Sequence, residues 1–237
     1  MEFDFEEDQL ILGKYNIVRK IGGGWEGEVY LIEEKATGIE RAAKFFYPER
    51  NLREKSSKFY AKKLHKLKNC KSVVQYFSYE KQYLFEDEVV CLISEFVEGQ
   101  ILSDFIKEKP QKRLAPFEAV QMLYSLVSAV EEIHLHNEYH GDLHSENVII
   151  VKYGLNFEVK ILDFFHWAHP KPDNRKDDLV DCVHIFYESL GGAKMYPKMP
   201  PLVKYICSGL KRGLILNKFK NVTRLKQFLE LFDWRDY

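Results

Sequence analysis

The stretch "HGDLHSENVII", His140 to Ile150, sets an aspartate and an asparagine five residues apart and then turns abruptly apolar. Two readings meet that pattern. In one, a loop holds a metal and a proton acceptor over a nucleotide. In the other, an ordinary polar turn precedes a strand. The flanking sequence has to separate them.

Upstream, the first third of the chain has the period of β-structure. "KYNIVRKI" (Lys14–Ile21) alternates apolar and polar residues, "EVYLIEE" (Glu28–Glu34) follows a glycine cluster, and "ERAAKFFY" (Glu40–Tyr47) lies beyond an Ala-Thr-Gly turn. From Asn51 to about Lys68 the spacing becomes helical, with Phe59, Tyr60, Leu64 and Leu67 on one side. Two further strands are expected at "VVQYFSYE" and "EVVCLISEFV". Beyond "EGQ" the pattern is mostly helical. It includes a long amphipathic helix in Ala115–Asn137, short β-like runs at "NVII" and "VKILDFF", and breaks at Gly191-Gly192 and the prolines at 197, 200 and 201. The chain therefore reads as α+β in two lobes, a β-rich lobe over residues 1–97 and an α-rich lobe over 98–237, with a ligand cleft expected between them.

Gly22-x-Gly24-x-x-Gly27 is weak evidence by itself, because the same spacing opens dinucleotide folds and also marks plain turns. A dinucleotide fingerprint needs strand, loop and then helix. Here Val29, Leu31 and Glu33 continue as a strand, which favours a hairpin whose glycine backbone lies close to phosphates. Lys44 would reach those phosphates, or it is a surface lysine on a half-exposed strand.

Composition narrows the alternatives. The 237 residues are 46% apolar and 30% charged with a net charge of −1, so neither nucleic acid nor an anionic membrane is expected as a partner on charge grounds. The lysine-rich run Lys55–Lys71 reads as a solvated helix face. Four cysteines without CxxC spacing read as reduced, mostly buried thiols of a cytosolic protein. The acidic "MEFDFEEDQL" lacks the features of a signal peptide, and no run approaches ~20 apolar residues. His134, His136, His140 and His144 lack the cysteine or carboxylate companions of a structural zinc site, and His140 reads as a packed residue that holds its loop.

Taken in order, these pieces resemble the protein kinase superfamily from about Lys14 to about Leu231. "LGKYNIVRKIGGGWEGEVY" resembles its first strand and glycine-rich loop, "RAAKFF" the strand with the ATP-binding lysine, and "LISEFVEG" the hinge. "HGDLHSENVII" is similar to the catalytic loop, and "ILDFF" falls at the metal-binding D-F-G. The resemblance implies ATP as cofactor and phosphate donor, with Mg²⁺ or Mn²⁺ held by Asn147 and Asp163. Asp142 would act on the attacking hydroxyl, His144 would hydrogen-bond the transferring phosphate, and Lys44 with the backbone at Gly22, Gly24 and Gly27 would hold the phosphates. Val29, Ala42 and Ile149 would enclose the adenine, Glu95 and Val97 would meet its edge, and Ser94 would take the small gatekeeper place.

Departures from the family keep three functions open. Gly141 replaces the arginine that docks a phosphorylated activation loop, Phe165 replaces the D-F-G glycine, and no A-P-E motif follows. Tyr60 stands where the helix glutamate that pairs with the lysine is expected, and Glu54 is the nearest upstream acid. The layout implies transfer to Ser or Thr of a protein, recognised as a folded partner. "HGDLH" and the missing A-P-E also fit a small-molecule kinase of the aminoglycoside or choline type, and the missing glutamate fits a pseudokinase binding module. The economy of the chain is similar to that of minimal kinases of bacteria and bacterial effectors, which implies the cytoplasm of a bacterial or host cell.

Overall fold

The alternating runs pair as antiparallel strands. In the computed structural model, residues 2–84, 86–154, 156–164 and 171–233 are described. The first sheet is built from β1 (Leu10–Ile11), β2 (Tyr15–Gly23), β3 (Gly27–Glu34), β4 (Glu40–Phe46), β5 (Tyr76–Leu84) and β6 (Asp87–Glu95), in the order β1-β2-β3-β4-β6-β5. A helix, α1 (Lys55–Lys66), lies between β4 and β5 in the chain.

Register decides what each face of this sheet carries. Val29 pairs with Lys44, Leu31 with Ala42, Ala42 with Ser94 and Lys44 with Leu92. Side chains alternate along a strand, so these six residues share one face. Tyr30, Ile32, Ala43, Phe45, Cys91 and Ile93 take the other, where they form an apolar cluster with Phe3, Ile11, Tyr15 and Ile17. The N-terminal stretch closes this cluster. Phe3 is buried, and Phe5 packs its ring 4.8 Å from Phe45 and 5.0 Å from Tyr30. Glu28 is fully buried beside them. It accepts hydrogen bonds from the Tyr30 hydroxyl (2.5 Å) and the Tyr47 hydroxyl (2.9 Å), and pairs with Lys20 at 2.9 Å. Burial alone would push the Glu28 carboxyl up. The bonds from Tyr30, Lys20 and Tyr47 outweigh that and hold it below the usual carboxylate range.

Two compact units emerge. One comprises Met1–Asn69 with Val74–Val97, and the other Cys70–Val73 with Glu98–Tyr237. The stretch "VVQYFSYE" divides between them. Val73 bridges Ile161 in the second unit, and β5 starts only at Tyr76. The second unit contains β7 (Gln100–Ile101), α2 (Leu102–Glu108), α3 (Pro116–Leu135), β8 (Val148–Tyr153), β9 (Asn156–Ile161) and α4 (Pro172–Ser189). It continues with α5 (Gly192–Met195), α6 (Pro201–Cys207), α7 (Arg212–Phe219) and α8 (Val222–Leu231). Pro116 opens α3, where the missing N–H costs nothing. The buried positions of α3 run from Ala119 to Ile133 at three- and four-residue spacing, which makes it a central helix of this unit. β7, β8 and β9 form a small antiparallel sheet with Gln100 opposite Ile150 and Val148 opposite Ile161. All four cysteines are buried thiols outside any disulfide. Among the described residues no helix is long and apolar enough to cross a membrane.

The glycine at 27 is a packing requirement. A Cβ there would stand 1.9 Å from the Phe45 carbonyl oxygen, whereas one at Gly24 would meet nothing within 4 Å. Gly27→Ala is therefore expected to destabilise the protein by about 1–3 kcal/mol, as overpacking does. Gly24→Ala should stay within about 0.5 kcal/mol of wild type. Urea unfolding of the two variants checks this contrast.

Candidate active site

The loop between α3 and β8 has a single 3-10 turn at Ser145–Asn147, and a buried carboxylate anchors the stretch before it. Asp178, fully buried on α4, accepts the backbone N–H groups of His140 and Gly141, each at 2.8 Å, and the His134 ring Nε2 at 2.8 Å. Burial would push its carboxyl up. The hydrogen bond and charge of His134, then His140 and the Gly141 N–H, prevail and hold it below the usual range. Gly141 sits at φ +84°, in the left-handed region that a glycine enters without strain.

His140 is fully buried and ties the loop to the segment before Asp163. Its Nδ1 accepts the Asp142 N–H at 3.2 Å, so Nε2 carries the proton and donates to the Leu162 carbonyl at 2.6 Å. Its ring lies 4.8 Å from that of Phe164. Leu162 in turn donates its N–H to the Asn147 carbonyl at 2.9 Å. Asp163 itself is exposed and adopts φ +47°, a strained backbone for a residue other than glycine.

Asn147 is buried, and its Nδ2 donates to the Asp142 carbonyl at 3.0 Å, which turns Oδ1 to the opposite side. The same Nδ2 stands 3.0 Å from His144 Nε2, and His144 Nε2 lies 3.9 Å from Asp142 Oδ2. The Asp142 side chain is 67% exposed, open to a reacting group. The second unit thus gathers an exposed carboxylate, an oriented amide and an imidazole on one loop, with Asp163 fixed through its neighbour. An amide oxygen and a carboxylate are hard oxygen donors, so Asn147 and Asp163 fit a divalent cation.

The first unit carries the remaining candidates. Gly24 N–H donates to the Gly27 carbonyl at 2.9 Å and closes the glycine turn. Tyr47 N–H donates to the Glu26 carbonyl at 2.9 Å and fastens that turn to the end of β4. Gly22 pairs with Val29 across the hairpin. Lys44 Nζ lies 3.7 Å from Glu26 Oε2 and 5.1 Å above the Tyr60 ring. Glu54, the acid nearest in sequence to the expected glutamate, is held elsewhere by Lys58 (2.8 Å), Lys81 and the Tyr79 hydroxyl (2.9 Å). Those bonds, Lys58 and then Lys81 first, pull its carboxyl down to about 2. Glu26 was not visible as a partner from spacing, because it belongs to the glycine turn and not to the helix. Ser94 is half-buried opposite Ala42, and Glu95 donates its N–H to the Gln75 carbonyl at 2.8 Å. Val97 ends the first unit. In the second, Gly99 lies so close to Ile149 that a Cβ would come within 2.5 Å of its Cγ2.

Asp178 lies within its helix and not at its start. α4 starts at Pro172, where Asn174 Oδ1 accepts the Lys171 N–H at 2.9 Å, and the aspartate points inward from its second turn. Phe165, at the place of the D-F-G glycine, lies outside the described residues. One titratable group went unnoticed in the sequence. Asp181, one turn beyond Asp178, has its carboxyl pushed up to about 7 by burial and then by the charges of Asp178, Asp177 and Asp142.

A protein-family model for the protein kinase domain matches residues 15–185. The chain is 29% identical to the serine/threonine-protein kinase pkn2 of Myxococcus xanthus over 160 residues, which is 66% of this chain and 18% of that protein. It is 31% identical to the serine/threonine-protein kinase PrkC of Bacillus subtilis over 65% of this chain and 23% of that one. It is 32% identical to mitogen-activated protein kinase kinase 2 of Arabidopsis thaliana over 67% and 41%. The chain belongs to the protein kinase domain family, with the α+β fold of a β-rich and an α-rich lobe. It spans less than half the length of each of these relatives.

The raised carboxyl of Asp181 has a sign that can be checked. The folded state binds its proton more tightly than the unfolded chain, so ionisation works against folding as pH rises from about 4 through about 7. Urea midpoints measured between pH 5 and pH 8 should fall with pH more steeply in the wild type than in Asp181→Asn. Equal slopes would mean that Asp181 titrates normally.

Proposed function

We propose that the chain is an ATP-dependent phosphotransferase that moves the γ-phosphate of ATP to the hydroxyl of a Ser or Thr residue in a protein. The observation that carries this reading is the loop assembly. Asp142, Asn147 and the segment ending at Asp163 are locked to one another through His140 and Leu162, and to α4 through Asp178. Phosphoryl transfer asks for such positioning more than for covalent chemistry. In the step itself the acceptor oxygen bonds to the γ-phosphorus, the bond to the ADP oxygen breaks, and the acceptor proton passes to Asp142. His144 donates a hydrogen bond to the phosphate in flight. Asn147 and Asp163 would hold Mg²⁺ or Mn²⁺, which would compensate phosphate charge. Lys44 and the backbone at Gly22, Gly24 and Gly27 hold the phosphates. Val29, Ala42 and Ile149 enclose the adenine, and the backbone of Glu95 and Val97 meets its edge beside Ser94.

The names of the relatives support protein Ser/Thr as the acceptor. A folded partner fits a chain without the A-P-E platform for an extended peptide. Gly141 at the place of the docking arginine fits activity that does not wait for loop phosphorylation. Four buried thiols outside any disulfide fit a reducing compartment such as the cytoplasm. Residues 1–97 and 98–237 serve as the two functional lobes.

The decisive assay follows γ-labelled ATP and Mg²⁺ with a cell lysate. Asp142→Ala should lower transfer to protein by at least about 10³-fold while ATP affinity stays within about threefold. Asp163→Ala should lose transfer together with metal-dependent nucleotide binding. Unchanged turnover in Asp142→Ala would overturn the assignment. Control-sensitive ATP consumption without protein label would move the acceptor to a small molecule. Ser94→Phe should weaken ATP-site inhibitors with bulky substituents by about tenfold or more while sparing ATP. Unchanged inhibitor affinity would remove Ser94 from the gatekeeper place.

A further inference from the structure

The lysine expected to meet phosphate already faces an anion carried by the glycine turn. Glu26 Oε2 stands 3.7 Å from Lys44 Nζ, and the two side chains are 20% and 16% exposed. That distance is an ion pair longer than a hydrogen bond, so it opens at modest cost. The carboxylate comes from a fixed place. The Glu26 carbonyl holds the Tyr47 N–H, Gly24 closes onto Gly27, and Gly27 is pressed against the Phe45 carbonyl. Trp25 beside it is 62% exposed, with the Arg50 guanidinium 4.4 Å from its ring. The turn is thus tied to β4 and the segment after it by one backbone bond and two side-chain contacts. On the helix side of Lys44, Tyr60 offers a π face, which attracts a cation without neutralising it.

Building on the phosphotransferase reading, we propose that Glu26 stands in for nucleotide phosphate on Lys44 and is displaced when a phosphorylated nucleotide binds. One cation serves two anions in turn, so the affinity for phosphate is lowered by the free energy of the Glu26 pair. The displaced carboxylate then lies near a polyphosphate of like charge, which adds to the same effect. Glu26 is a positioning residue in this scheme. It touches the lysine and sets the threshold at which nucleotide takes it over. The effect scales with phosphate charge and spares the adenosine moiety.

The test is a titration of the full chain with adenosine, ADP and ATP, with and without Mg²⁺. Glu26→Gln should bind ADP and ATP about three- to tenfold more tightly and adenosine as the wild type does. Glu26→Asp keeps the charge and shortens its reach, and it should fall between the two. This second variant decides the matter if the glutamine form folds poorly. Equal or weaker ADP binding in both variants, or the same gain for adenosine, would overturn the proposal. A wild type that transfers phosphate yet matches its variants would sink this inference alone. A wild type that binds no nucleotide would sink the phosphotransferase reading with it.

Discussion

A buried carboxylate without enough partners is among the costliest groups a protein can hold, and Asp178 is where this one meets that cost. Three donors converge on its two oxygens, and two of them are consecutive backbone amides of the loop that presents Asp142. The loop therefore cannot relax without stranding the charge. From Asp178 the constraint passes outward: His140 holds the Leu162 carbonyl, Leu162 holds the Asn147 carbonyl, and Asn147 holds the Asp142 carbonyl. The exposed Asp142 carboxylate is placed by Asp178, His140 and Asn147, which are themselves buried.

The first unit reaches order by a different route, through strand register. Once Gly27 has seated β3 against β4, Val29, Leu31, Ala42, Lys44, Leu92 and Ser94 fall on one face by alternation alone. The lysine then has Glu26 and Tyr60 for company, where relatives of this fold are expected to offer a helix glutamate. The helix cannot supply that acid, because its only nearby candidate, Glu54, sits before the first turn with φ +59° and is drawn to Lys58 and Lys81.

Much of this was legible in the sequence because it rests on local periodicity. The strands around Lys44, the long helix before the loop and the Asp142 to Asn147 spacing all follow from patterns within a few residues. What was not legible depends on distant pairs. The split of "VVQYFSYE" is set by Val73 finding Ile161. The start of α4 at Pro172 was hidden because the charged run after it resembles a loop. Glu28 looked like an ordinary strand residue, since nothing local announces that Tyr30, Tyr47 and Lys20 meet on it. Phe3 and Phe5 alternate within the acidic N-terminal stretch as a strand-like pair does, but the charges around them mask that signal.

Those two phenylalanines have a consequence for handling the protein. They cover the face of the sheet opposite Lys44, packing against Phe45, Tyr30 and Tyr47. Without them that face would present a broad aromatic surface to water, the kind of patch through which soluble proteins associate. The first few residues thus act as a built-in solubiliser, and trimming the chain ahead of residue 6 would expose a sticky surface while leaving every proposed catalytic group in place.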